Sequence, residues 1–93
     1  MQENSFDVFK NICQDRLSQE LKDFDADIGT ARSCLEYGLN FVSALYTPGY
    51  LEDAHRQRMK DFAEKVFDAF WKVSPGLKSL PTLVMLRELV GSY

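Results

Sequence analysis

One hydrophobic seam constrains this chain more than any other feature. At 100° per residue, Phe6, Phe9, Cys13, Leu17, Leu21, Phe24, Ile28, Ala31, Leu35, Leu39, Val42, Leu45 and Tyr46 share a stripe about 120° wide. Asn4 or Ser5 supplies an N-cap, and Asp7 sits favourably in the first turn. The phase of the stripe survives Asp25-Ala26-Asp27-Ile28-Gly29, where a loop would ordinarily scramble it. The seam therefore predicts one long helix over 5–46, bent at most near Gly29. It also reads as heptads, with Leu21, Ile28, Leu35 and Val42 at a and Leu17, Phe24, Ala31, Gly38 and Leu45 at d.

A rod of that length spans about 60 Å and needs a helix alongside it, from this chain or a second copy. A chain of 93 residues is one small domain and buries only about two-thirds of its potential surface. A homodimer is the expected state on both grounds.

Thr47-Pro48-Gly49 ends the first helix and opens a second, predicted over 48–73 and antiparallel to the first. Its buried face is expected to be Met59, Phe62, Ala63, Val66, Phe67, Phe70 and Val73. Glu52–Arg56, Asp61–Lys65 and Asp68–Lys72 form supportive i,i+4 pairs on its wet side. Ser74-Pro75-Gly76 is a turn, and a third helix is expected over 80–90. That helix leaves only Thr82, Arg87 and Glu88 polar, so it must be central in a bundle or covered by another chain. The fold class is all-α: a helical bundle with a long first helix, an antiparallel second and a short apolar third.

Composition points the same way. Hydrophobic residues make up 45% and charged residues 27%, a globular balance that argues against disorder. Net charge is −3, unlike the basic excess with which proteins displace counterions from a nucleic-acid backbone. Residues 1–47 carry four bases against eight acids, and residues 48–93 carry seven against six. The polar start Met-Gln-Glu-Asn lacks a secretory pattern, and no apolar run reaches the roughly 20 residues of a membrane span. With Cys13 and Cys34 as the only cysteines, a reducing cytoplasmic setting is expected.

Candidate chemistry is sparse. Asp23-x-Asp25-x-Asp27 begins like a calcium loop, but the sixth position is Ile28 and the twelfth is Cys34, where Gly and a bidentate Glu are required. His55, the only histidine, has no second histidine for a metal and no nucleophile within a helical turn. On one continuous helix Cys13 and Cys34 would stand about 30 Å apart, against a limit of about 7 Å for a disulfide. No metal, cofactor or enzymatic activity is expected.

The leading expectation is a regulatory or adaptor protein acting through helix-mediated contact with another protein. Trp71, Leu83, Leu86, Leu89, Val90 and Tyr93 are its candidate contact residues. Leu86-Arg87-Glu88-Leu89-Val90 has the spacing of short leucine motifs that dock in grooves, a spacing common to amphipathic helices. The alternative is nucleic-acid binding through Arg56, Arg58 and Lys60 at the start of the second helix.

Overall fold

The structure is a computed structural model and describes residues 5–45 and 53–93. These form α1 (Ser5–Asp23), α2 (Ile28–Leu45), α3 (Asp53–Val73), a 3-10 turn (Pro75–Ser79) and α4 (Pro81–Ser92). There is no strand among the described residues, and the class is all-α.

The single rod over 5–46 does not form. α1 stops at Asp23, where the Phe24 N–H makes a last helical bond to the Glu20 carbonyl at 3.0 Å. After a four-residue connection α2 begins, with the Ala31 N–H donating to the Asp27 carbonyl at 2.9 Å. Asp27 is its N-cap: the Thr30 N–H donates to Oδ1 at 3.1 Å. Aspartate is a weak helix former and a strong cap, so Asp23, Asp25 and Asp27 favour a break over a bent continuation.

α2 then returns along α1. Phe6 and Lys10 share a cleft with Leu39, Asn40 and Ser43, while Gln14, Leu17 and Ser18 share another with Arg32, Leu35 and Glu36. That order is antiparallel. The seam misled because it records which side of each helix faces the core and not the direction of the chain. A four-residue spacer is close to one helical turn, so the phase slips by only about 40° across it. Phe24 and Ile28, counted into the seam, are instead 40% and 49% exposed. With the rod gone, the need for a mate chain along its length goes too.

Buried side chains from all four helices meet in one main core. Cys13 and Leu17 of α1, Ala31, Cys34, Leu35, Leu39 and Val42 of α2, Phe67 of α3, and Leu83 and Leu86 of α4 belong to it. Leu77 of the 3-10 turn and Leu80 behind it add to this core, both fully buried. Phe41, Ala63 and Val90 make a smaller cluster. α4 contacts α1, α2 and α3, so its apolar surface is covered largely by its own chain. Truncating a leucine such as Leu86 to alanine costs about 2–5 kcal/mol in such a setting. α2 can approach α3 and α4 this closely because Gly38 lacks a side chain. A Cβ there would stand 2.9 Å from the Phe67 ring and 3.2 Å from Leu86.

Two polar clamps fix α4. Its N-cap position is Leu80, which has no capping side chain, and Pro81 follows. The carboxylate of Glu20, on α1, does that work. Thr82 N–H donates to Oε1 at 3.1 Å, and the Thr82 hydroxyl donates to Oε2 at 2.6 Å. Further along α4, Arg87 reaches Glu64 at 3.2 Å and Asp68 at 3.4 Å on α3.

The expected turn at 47–49 and the start of the second helix at 48 lie outside the described residues; α3 is described from Asp53. The 74–76 turn becomes the 3-10 turn, and the last helix is shifted slightly, starting at Pro81 and ending at Ser92.

Candidate functional site: an apolar groove between α2 and α3

α3 has a wider apolar stripe than its neighbours can cover. Ala63 and Phe67 point into the core at 4% and 0% exposure. Phe62 and Val73, expected on the same buried face, are 60% and 79% exposed. Met59, Val66 and Phe70 are half-buried between these extremes. On an ideal helix the seven residues span roughly 140°, more than one helix–helix contact covers.

The uncovered edge forms one wall of a groove whose other wall is α2. One end, of about 310 Å³, is lined by Tyr37, Asn40, Phe41, Arg58, Met59, Phe62 and Ala63. The other, of about 350 Å³, is lined by Thr30, Tyr37, Val66, Ala69, Phe70 and Val73. Tyr37 belongs to both and stands between two aromatic rings. Its centroid lies 6.3 Å from that of Phe62 and 6.0 Å from that of Phe70. Among the described residues no carboxylate lines either end, and Arg58 is the only charged lining residue.

The residues singled out from the sequence do not assemble into a surface. Leu83, Leu86 and Val90 have no exposure at all and are core. Trp71 is half-buried, its ring edge-on to Phe67 at 6.2 Å, with Lys78 Nζ 6.0 Å from the ring centroid. Its indole Nε1 is buried without a hydrogen-bond partner among the described residues. Leu89 and Tyr93 reach the surface at 36% and 37% exposure, and Tyr93 leans on Phe41 at 5.8 Å. The apolarity of α4 thus reports its central place in the bundle.

Arg56, Arg58 and Lys60 diverge. Residues 56 and 60 share a side of α3 and are half-buried, and the Arg56 Nε is buried without a partner among the described residues. Arg58 points the other way, to the mouth of the groove, where it lies 3.4 Å from His55 Nδ1. His55 is exposed.

Asp23 ends α1, Asp25 lies in the connection, and Asp27 caps α2. No cluster of three metal-ligating side chains occurs among the described residues. Cys13 and Cys34 are unpaired and buried in the main core. Desolvation pushes the Cys34 thiol up to about 12. Burial also raises Cys13, with the charge of Arg16 pulling it back and that of Glu20 adding to the rise. In both, burial favours the neutral thiol over the reactive thiolate. No described helix is long and apolar enough to cross a membrane.

Sequence reasoning missed the groove because periodicity finds an apolar face without saying how much of it a neighbour covers. The available signal was the breadth of the α3 stripe, together with Phe62 and Val73 at its outer edge. Comparison with protein-family models, with curated proteins and with solved structures found no match to this chain.

Proposed function

We propose that this protein is a non-enzymatic binding module, regulatory or adaptor in role, that takes a segment of another protein into the α2–α3 groove. The observation that carries this reading is the exposure of Phe62 and Val73 on two adjoining apolar hollows between α2 and α3 that share Tyr37. Completing the burial of a Phe or Val side chain is worth roughly 1.5–3 kcal/mol, so a partner covering both gains substantially. Large aromatic side chains in a partly formed pocket are the usual anchors of such contacts. The groove offers apolar and aromatic side chains for packing. The two unpaired thiols support a reducing, cytoplasmic setting.

The test is a site-specific photo-crosslinker. Benzoylphenylalanine at position 62 should give an adduct with a second polypeptide in extract of the source cell. The same group at Gln57, on the opposite side of α3, should not. Val73→Glu, at a position exposed enough to leave the fold intact, should reduce the adduct several-fold. Equal labelling from positions 57 and 62, or a product of only twice the chain mass, would refute the reading. The second product would make the groove a contact between two copies.

A further inference from the structure

On the strength of that groove reading, we infer that the occupant is an amphipathic α-helix of another protein, with acidic residues along the flank that faces α3. Shape excludes an extended strand. Both walls of the groove are helices whose backbone groups are bonded internally, so a strand laid there would bury N–H and C=O groups without partners. A helix satisfies its own. From Met59 to Val73 the α3 wall runs for about 21 Å, enough for roughly four turns of a guest helix.

Charge decides the flank. Arg58, Lys65 and Lys72 recur every seven residues on α3, and all three are exposed. Seven residues bring a helix back to within about 20° of its starting direction, so these cations form a row. The row lies beside Phe62, Ala69 and Val73, on the solvent side of the groove, with Arg58 at its mouth.

Asp61 and Asp68 lie on the far side of the row, so the cations are the charges nearer the groove. The i,i+4 pairs Asp61–Lys65 and Asp68–Lys72 do not close; the ion pairs among the described residues both belong to Arg87. Arg87 draws Glu64 and Asp68 toward α4 and away from the lysines. Across the groove, α2 contributes Thr30, Tyr37 and Asn40, which are uncharged. The chain has 14 acidic residues and a net charge of −3, yet no acid among the described residues lines the groove. Two copies packed groove to groove would set like-charged rims against each other, which disfavours that pairing at this site.

The experiment uses the full chain and two fluorescein-labelled 18-residue helical peptides. Both carry the same leucine face; one has Glu along one flank and the other Lys. By fluorescence anisotropy the Glu peptide should bind about ten-fold more tightly, and added salt should narrow the gap. Lys65→Glu with Lys72→Glu should reverse the preference, with helicity checked by circular dichroism. Val73→Glu should weaken the Glu peptide. Equal affinities, a preference for the Lys peptide, or no binding by either would overturn the inference. So would retention of a single-stranded oligonucleotide in place of the peptides. If the position-62 crosslink persists under any of these outcomes, the groove remains a binding site and only its acidic helical guest is lost.

Discussion

Asp27 shows how much a single side chain decides here. Its carboxylate accepts the Thr30 N–H at the open end of α2, and that backbone bond is the main cause of a pKa held below the ordinary 3.8. A carboxyl whose folded pKa is lowered adds stability above its unfolded pKa, and loses it as pH falls through the folded value. Asp27→Asn retains a capping oxygen that does not titrate. Its melting temperature should therefore fall less than that of the parent between pH 5 and pH 2.5, followed by circular dichroism. Asp27→Ala should already melt lower at pH 7. If Asn and Asp give parallel profiles, the cap is not the titrating element. Asp27 also shows a limit of reading the chain in one dimension. Its capping chemistry is written in the residue, but the apolar phase on either side of it favours a continuous helix.

At the scale of elements, the bond between Glu20 and Thr82 joins helices 62 residues apart in the chain. Glu20 caps α4 from α1, so removing it should loosen the α4 N-terminus more than it disturbs α1. Glu20→Ala leaves the Thr82 N–H and hydroxyl unmet in a part-buried site, a loss of about 1–3 kcal/mol. Denaturant unfolding should show that loss, and hydrogen exchange should show faster exchange at residues 82–84. Unchanged stability would mean that water replaces the carboxylate without cost. Nothing in the sequence pairs these residues. The i,i+4 spacing within a helix is legible, whereas a cap supplied by a different helix depends on where the bundle brings it. The same holds for Arg87, which takes Glu64 and Asp68 from the pairings that spacing along α3 suggests.

For the molecule as a whole, burial sorts the residues of α4 into two kinds. Leu86 is fully buried, whereas Leu89 is 36% exposed. An aspartate at Leu86 places an unpaired charge in the core and should unfold the chain, with loss of far-ultraviolet helicity. Leu89→Asp should leave helicity near the parental level and shift the melting temperature only modestly. Similar, mild effects at both positions would show that α4 is not central.

The residue pattern alone determined that this chain is helical, that its last helix is apolar on nearly all sides, and that α3 has one apolar and one charged side. These follow from side-chain period and turn residues, which act over a few positions. Only the tertiary structure decided that α1 and α2 are separate antiparallel helices, that α4 is covered by its own chain, and that the outer edge of α3 is left open. Each of these depends on which faces meet in space. A period of 3.6 residues carries the direction of a face but not the identity of its neighbour.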